Sequence, residues 1–309
     1  MPMDAPAPHT RLLLPAVLTG CWLAIIGVLV RFPEHWTALL IWLGVLVLSM
    51  TWGVVAPSRN ILGPCRSKAI SPNQVALTFD DGPDPETTRA IAAMLDRHGA
   101  KGTFFVIGER AAAHPEVLAE LVQAGHQVGL HSHSHHWKVM VQNESFLKDL
   151  IAADKAVHDA IGKHARWYRP PFGLIAPPVM NVRERWGLQV AGWSIRPMDG
   201  RLDDVKKITS SVLQELGGGD VVLLHDAPAF HNPERRPPML DALPRILDGL
   251  SEKGLEAVTM AELFREEAWF PPNTADERRR RSPGYRGIHL LIRITAASLF
   301  LSVAWSWVR

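Results

Sequence analysis

Cysteine is scarce in this chain, and the two that occur do not form a recognisable pair. Cys21 lies in an apolar run, Cys65 follows another, and no Cys-x-x-Cys pattern is present. This excludes the common cysteine-based zinc and redox motifs and leaves the compartment undetermined. Net charge is also small, +2 over 309 residues, so no global excess of positive charge indicates a nucleic-acid partner.

Formal charge is absent from two apolar runs, residues 12–30 and 37–55. Each is close to the roughly 20 residues that a helix needs to cross a membrane. Because only RFPEHW separates them, we expect a transmembrane hairpin within residues 1–57. The alternative is a signal peptide followed by a buried helix. A third apolar run, residues 288–308, is expected to span the membrane or to lie on its surface.

The positive charges near these runs predict an orientation. Arg59, Arg66, Lys68 and the four arginines at 278–281 all lie beside the central region, in the segments 58–70 and 269–287 that we interpret as linkers. Since short cytoplasmic loops carry an excess of Lys and Arg, we expect a multi-pass protein of the inner (cytoplasmic) membrane. The central domain is then cytoplasmic, and membrane lipids are expected partners.

Residues 71–268 alternate between short β-rich runs and helical runs. The runs VALTF, GTFFVIG, HQVGLH, VVLLHD and LEAVTM predict strands. Helices are predicted for PETTRAIAAMLDRHG, HPEVLAELVQAGH, PPMLDALPRILDGLSEKG and the region around 144–162. This spacing favours βαβ units, and therefore an α/β domain with a parallel sheet or barrel.

Polar motifs follow several of these strands, at the ends where α/β folds collect reactive residues. In chain order they are TFDDGPD, HSHSHH, RPPFG, GWSIRPMDG and LLHDA. His131 and His135 are four residues apart, so a helical turn would put both on one side, whereas His133 and His136 would point elsewhere. Two histidines and one carboxylate make a common open metal site.

The adjacent pair Asp80 and Asp81 has two interpretations. One carboxylate could bind the metal while the other stays free as a base. Alternatively Asp-Asp-Gly is a polar turn, and the histidine tract is a solvated loop.

Taken in order, the five motifs resemble the polysaccharide deacetylases of the NodB-homology type, carbohydrate esterase family 4. The resemblance covers about residues 71–268, and the apolar runs lie outside it. It implies a distorted (β/α) barrel with fewer than eight strands in the closed ring, flanked here by the expected transmembrane helices. It also implies hydrolysis of an acetyl group on a glycan.

The resemblance assigns the metal and base residues one by one. Asp80 matches the catalytic base, and Arg169 matches the arginine that pairs with it and orients it. Asp81, His131 and His135 match the three ligands of a divalent metal, which in this family is usually Zn²⁺.

The remaining roles fall on the second half of the domain. Phe172 matches a residue whose backbone N–H helps to bind the oxyanion. Trp193 and Leu223 match the apolar wall around the acetyl methyl group. His225 matches the general acid, and Asp199 matches its carboxylate partner.

Two positions depart from the family's pattern. Members often place an acid three residues after the motif's tryptophan, where this chain has Arg196, and a tryptophan after the second acid, where it has Gly200. Both positions lie where the family binds its substrate, and an arginine there could bind a phosphate group.

The predicted function is a membrane-anchored deacetylase that removes the N-acetyl group of an amino sugar in a glycan or a lipid-linked glycan precursor. A cytoplasmic domain favours the lipid-linked precursor, and an outward-facing one favours wall polymers. The alternatives are an O-deacetylase or deformylase of an envelope glycan, an inactive glycan-binding membrane protein, and a non-haem iron oxygenase. The presence of every base, ligand and acid residue argues against the last two.

Overall fold

The computed structural model describes residues 64–136, 139, 143–175, 177–227 and 237–271, together with Ile41 and Gly44. All the strands and helices named below belong to one compact unit, residues 53–283. The predicted membrane segments 12–30, 37–55 and 288–308 lie outside the described residues, apart from those two positions. Within the part of the chain that is described, no helix combines the length and the apolar character needed to span a bilayer.

A parallel sheet of seven strands forms the centre of this unit. Its strands run in the order β5-β4-β3-β2-β1-β6, and β7 pairs with the beginning of β1. The strand bounds are β1 Gln74–Asp80, β2 Gly102–Val106, β3 Gln127–Leu130, β4 Trp167–Tyr168, β5 Gln189–Val190, β6 Val221–His225 and β7 Glu256–Ala257. Because every pairing between these strands is parallel, their carboxyl ends all face the same edge.

Helices connect the strands, as parallel pairing requires. Over the described residues between 64 and 271 they are α1 Thr87–Arg97, α2 Gly108–Ala113, α3 Pro115–Gln123, α4 Asn143–Ile161, α5 Pro177–Trp186, α6 Val205–Glu215, α7 Met239–Glu252 and α8 Met260–Phe264. A short 3-10 turn covers Pro171–Gly173.

The sheet curls because the chain after β5 reaches back to β6 at the other end of the strand order. The backbone N–H of Ser194 donates to the carbonyl of Val221 at 2.9 Å, and that of Leu223 donates to the carbonyl of Ile195 at 2.9 Å. The result is a curled, parallel partial barrel, which confirms the predicted α/β fold.

The core lies between the sheet and its helices. β1 is buried along its whole length after Gln74, as expected for a strand covered on both faces. Phe79 of β1 stacks on Phe104 of β2 with ring centroids 5.0 Å apart, and Ile91 and Leu95 of α1 are fully buried. Each such side chain contributes about 1.5–3 kcal/mol by leaving water, which fixes the strand ends in place.

Two details of the elements differ from the sequence analysis. GERAAA forms α2, a helix that was not predicted, and it begins at Gly108, the last residue of the predicted strand GTFFVIG. The predicted strand LEAVTM shortens to Glu256–Ala257, because Thr259 and Glu262 form a capping box that begins α8. In a capping box two side chains satisfy the first backbone N–H groups of a helix, so the chain leaves the sheet at this point.

Candidate active site

The polar motifs meet at the carboxyl edge of the sheet, at the ends of strands β1, β3, β4 and β6. β1 ends at Asp80 and β6 ends at His225, and these two residues are paired across the sheet. His131 follows β3, and Arg169 follows β4. The sequence prediction that reactive side chains gather at strand ends is therefore confirmed by their placement.

Asp81, His131 and His135 form a compact cluster at this edge. One potential ligand atom from each residue lies within 4.8 Å of the other two. The Nε2 atoms of His131 and His135 are 3.5 Å and 3.3 Å from Oδ1 of Asp81. Among the described residues, no other group of three His, Cys, Asp or Glu side chains meets this spacing.

The histidine tract reaches this geometry by a route that the sequence interpretation missed. We expected a helical turn, but residues 131–136 form an irregular loop in which Ser132 and His135 have positive φ angles of 71° and 51°. Asp149 of α4 holds the loop, because its carboxylate accepts from the hydroxyl groups of Ser132 and Ser134 and from the backbone N–H of His133 and Ser134. These bonds replace the backbone pairing of a helix.

Each of the three side chains is suited to bind a divalent metal. Nδ1 of His131 lies 2.8 Å from the backbone carbonyl of Arg169, so it carries the proton and leaves Nε2 as the ligand atom. Burial by itself would raise the pKa of Asp81, but its hydrogen bond with His131 and the nearby histidine charges outweigh this and lower it. Burial lowers the pKa of His135 to about 4.

At neutral pH these pKa shifts leave the carboxylate of Asp81 anionic and the imidazole of His135 neutral, which are the forms that coordinate metals. His131 differs, because the charge of Asp80 and the hydrogen bond of Asp81 outweigh burial and raise its pKa. A metal would therefore compete with a proton at Nε2 of His131. The donor set, two imidazoles and one carboxylate, fits zinc and other borderline divalent ions.

His133 and His136 are not part of the cluster that the described residues form. The imidazole of His133 lies against α2, where a Cβ added to Gly108 would be 2.4 Å from its Nδ1. Its backbone carbonyl accepts from the N–H of Glu109 at 3.0 Å. His133 therefore packs the loop against α2, while His136 is exposed.

Asp80 and Arg169 form a buried ion pair beside the cluster. Nη1 of Arg169 donates to Oδ1 of Asp80 at 2.8 Å, and the arginine side chain is fully buried. The guanidinium also donates to Thr78 Oγ1 and to the carbonyl of Gly192, both at 2.7 Å. It lies 4.3 Å from the centroid of the Phe105 ring. These partners leave the guanidinium little freedom, so it holds Asp80 in one orientation.

Asp199 and His225 form a second pair, in which His225 ends β6 and Asp199 lies on the irregular chain after β5. Oδ1 of Asp199 is 3.1 Å from Nδ1 of His225, and Oδ2 accepts from the backbone N–H of His225 at 2.8 Å. Burial alone would lower the pKa of His225, but the charge and hydrogen bond of Asp199 outweigh it and raise the pKa to about 9. His225 is therefore a cation at neutral pH, and its Nε2–H is available as an acid.

The three expected substrate-contacting residues lie around these groups. Phe172 has a positive φ of 59°, its side chain is 45% exposed, and its ring centroid is 4.9 Å from that of His135. Trp193 packs against Gly173, where an added Cβ would be 2.1 Å from Cη2 of the indole. Leu223 is buried two residues before His225, so both side chains point to the same face of β6.

Asp226 is a buried residue of this region that the motif assignments did not use. Its carboxylate accepts from the backbone N–H of Gly82 at 3.0 Å and from Thr88 Oγ1 at 2.6 Å. Burial raises its pKa to about 7. A Cβ on Gly82 would be 2.2 Å from its Oδ2, so glycine is required there. Asp226 thus ties the loop after β1 to the strand that carries His225. The only hint of this role in the sequence was its position directly after His225.

Known proteins with similar sequences match this part of the chain. The family described as Polysaccharide deacetylase matches residues 67–191. The peptidoglycan-N-acetylglucosamine deacetylase of Bacillus cereus is 31% identical over 192 residues, which cover 62% of this chain and 68% of that protein. The peptidoglycan-N-acetylmuramic acid deacetylase PdaC of Bacillus subtilis is 30% identical over 209 residues, which cover 67% of this chain but 42% of that protein.

Solved structures agree with the sequence matches. The crystal structure of the Bc1960 peptidoglycan N-acetylglucosamine deacetylase has a TM-score of 0.61 and 30% identity, and covers 65% of this chain and 93% of its own. A family 4 acetyl xylan esterase from Clostridium thermocellum, in complex with a cobalt ion, has a TM-score of 0.57 and 28% identity. The match covers 62% of this chain and 90% of that protein. The predicted enzyme class, a hydrolase of the polysaccharide deacetylase type, is confirmed. This chain belongs to the polysaccharide deacetylase family, the NodB-homology enzymes of carbohydrate esterase family 4.

Proposed function

We propose that this enzyme removes the N-acetyl group of an amino sugar in a glycan or in a lipid-linked glycan precursor. The observation that carries the proposal is the arrangement of three groups at one edge of the sheet. The cluster of Asp81, His131 and His135 has the ion pair of Asp80 and Arg169 beside it, and the cation His225 on the adjoining strand. Amide hydrolysis by an activated water requires these three functions.

Asp81, His131 and His135 would hold the divalent metal, for which zinc is the first candidate. When bound, such an ion acidifies a water ligand towards a pKa of roughly 7 and polarises the acyl carbonyl. The acetyl xylan esterase of similar fold was solved with a cobalt ion, which supports a divalent requirement without deciding the element.

Asp80 is proposed as the general base that removes a proton from the attacking water. Its Oδ1 is held by Arg169, while Oδ2 lies 3.8 Å from Nε2 of His131 and so faces the metal cluster. Arg169 therefore orients the base towards the cluster.

The apolar residues and the turn at Phe172 are proposed to position the acyl group. The backbone N–H of Phe172 would donate to the oxyanion that forms on the acyl carbon, as the family resemblance implies. Trp193 and Leu223 would enclose the methyl group.

His225 is proposed as the general acid that protonates the departing amine. The C–N bond breaks as this proton arrives, and the products are acetate and a free amino sugar. Because Asp199 raises the pKa of His225 to about 9, the proton is present across the neutral range. The carboxylate also fixes the ring so that Nε2 carries the transferable proton.

Amino-sugar glycans are the proposed substrate class because the matched relatives are named for peptidoglycan N-acetylglucosamine and N-acetylmuramic acid. A second candidate is O-deacetylation, supported by the acetyl xylan esterase of the same fold. Incubating the full-length protein in detergent with an N-acetylglucosamine oligomer would distinguish them. We expect acetate and a new free amine in equal amounts. Acetate from O-acetylated xylan, with no amine from the oligomer, would contradict N-deacetylation.

We also propose that the chain is anchored in the inner membrane with its catalytic domain in the cytoplasm. Support comes from the three uncharged or nearly uncharged apolar runs and from the arginines beside the central domain. A topology reporter fused at Thr274 should be active on the cytoplasmic side only. Activity on the outer side would contradict this orientation and favour cell-wall polymers over lipid-linked precursors.

A further inference from the structure

Arg196 occupies a position beside the general acid where related enzymes often carry an acidic residue. The preceding residues Ser194 and Ile195 are hydrogen-bonded to β6, the strand that ends at His225. Three residues later Asp199 binds His225. Arg196 is therefore carried on a short segment that is fixed at both ends to the acid side of the site.

Trp193 holds the guanidinium of Arg196 near the reaction centre. The Cζ atom of Arg196 lies 5.6 Å from the centroid of the Trp193 ring, within the range of a cation–π contact. The same ring is 6.0 Å from Cζ of Arg169, the arginine that orients the base. The proposed wall of the acetyl pocket thus has a second arginine against it.

The electrostatic surroundings show that this charge is partly removed from water and close to the reacting groups. Burial lowers the pKa of Arg196, and the charge of Arg201 lowers it further, whereas Asp199 and Asp80 raise it. Asp80 and Asp199 already make short hydrogen bonds to Arg169 and His225. A guanidinium in this setting gains from an additional anion, because charge-assisted bonds are stronger where water is scarce.

Gly200 lies against the imidazole of His225 on the same side. A Cβ at this position would lie 3.2–3.5 Å from three atoms of the His225 ring, so the backbone approaches the imidazole closely and no side chain projects beside it. Related enzymes often have a tryptophan here. The two departures from the family's pattern, a cation at 196 and a missing side chain at 200, therefore fall on one side of the site.

We propose that Arg196 is a specificity-determining residue that binds a carboxylate or phosphate group of the substrate, on the side where His225 protonates the departing amine. This inference rests on the proposed deacetylation. A guanidinium matches both oxyanions, because its planar donors bind two oxygens at once. The carboxylate would come from the lactyl group of a muramic acid unit, and the phosphate from a sugar linked to a lipid phosphate.

Three acetylated substrates test this assignment on the full-length protein in detergent. The first is a neutral N-acetylglucosamine oligomer, the second a glycan fragment that contains N-acetylmuramic acid, and the third N-acetylglucosamine attached to a polyprenyl phosphate. Arg196→Gln removes the charge. Arg196→Lys keeps the charge but lacks the planar guanidinium N–H groups that bind two oxygens at once. Arg166→Gln is the matched control, since Arg166 precedes β4 at the opposite, amino edge of the sheet and pairs with Glu266.

We expect wild type to prefer one anionic substrate over the neutral oligomer, which identifies the source of the oxyanion. Arg196→Gln should reduce this preference in kcat/KM by about 10- to 100-fold, mainly through KM, as expected for one lost charge-assisted pair. Arg196→Lys should recover part of the preference, and Arg166→Gln should leave it unchanged.

An equal loss on neutral and anionic substrates in Arg196→Gln would overturn the assignment, and so would a wild-type enzyme that shows no preference for either anion. In both cases activity on the neutral oligomer would still support deacetylation. If wild type released acetate from none of the three substrates, the proposed function itself would fail.

Discussion

The two sides of the active site are built differently. On the side of the proposed base, which we call the base side, Asp80 ends β1 and Arg169 follows β4, and their side chains are 6% and 0% exposed. On the acid side, His225 ends a strand, but Asp199 and Arg196 lie on the irregular chain after β5, and the His225 side chain is 21% exposed. The base side is set by sheet pairing, whereas the acid side also depends on an irregular loop.

This difference explains where the chain departs from its family's pattern. A change at Asp80 or Arg169 would leave the other member of a buried ion pair without its partner, at a cost of about 3–5 kcal/mol. Positions 196 and 200 lie instead on the irregular chain after β5. We infer that the reaction is fixed on the base side and that substrate preference is adjusted on the acid side.

Replacing the base should give the largest effect. Asp80→Asn keeps an oxygen for Arg169 but cannot accept the water proton, so kcat should fall by about 10³-fold while metal binding persists. Asp81→Asn is the matched variant. It removes a proposed metal ligand, so it should lose both activity and bound metal. Steady-state kinetics with elemental analysis of each purified variant separates the two outcomes. Loss of metal in Asp80→Asn would show that the two aspartates have been assigned the wrong way round.

Removing the charge that supports the acid should give the next largest effect, and it should depend on pH. If His225 is the proposed acid, only its protonated form can donate, so activity should fall as pH rises through its pKa, about 9 in the wild type. In Asp199→Asn that pKa drops towards its ordinary value. The alkaline limb of the kcat profile should then move to lower pH by about one to three units.

The acidic limb serves as the internal control for Asp199→Asn, since His225 stays protonated there in both proteins. If the alkaline limb stays in place, His225 is not the acid that the profile reports.

The smallest effect is expected at the turn that supports the apolar wall. Gly173 has a φ of +67°, and a Cβ there would be 2.1 Å from Trp193, whereas Gly162 has a φ of +69° with nothing within 4 Å. Gly173→Ala should therefore destabilise the fold by about 1–3 kcal/mol more than Gly162→Ala, measured by thermal unfolding. Equal losses would mean that only backbone strain matters and that the packing against Trp193 does not.

The residues of the base side were easier to predict from the sequence than the hydrogen bonds that hold them in place. Motifs at strand ends placed Asp80, Asp81, His131 and Arg169 together correctly, because parallel strands align their carboxyl ends. The helical turn assigned to the histidines was wrong, since Asp149 supplies the loop's hydrogen bonds from another element. Sequence periodicity carries no signal for such a partner.

Contacts between residues far apart in the sequence could not be predicted from local sequence patterns either. Thr78 binds Arg169 from 91 positions away, and Asp226 binds Gly82 from 144 positions away. Both residues looked like ordinary parts of a strand or a turn. Their roles follow from which strands become neighbours, and in this sheet β1 lies beside β6.

The most direct test of the central claim is the metal content of two histidine variants beside the wild type. His135→Ala removes a ligand, whereas His133→Ala removes a neighbour in the same loop that packs against α2. After chelation and reconstitution with zinc, we predict about one bound ion per chain in wild type and in His133→Ala. His135→Ala should hold little metal and release no acetate. If His133→Ala loses the metal as fully as His135→Ala, or if His135→Ala keeps both metal and activity, the proposed metal centre is wrong.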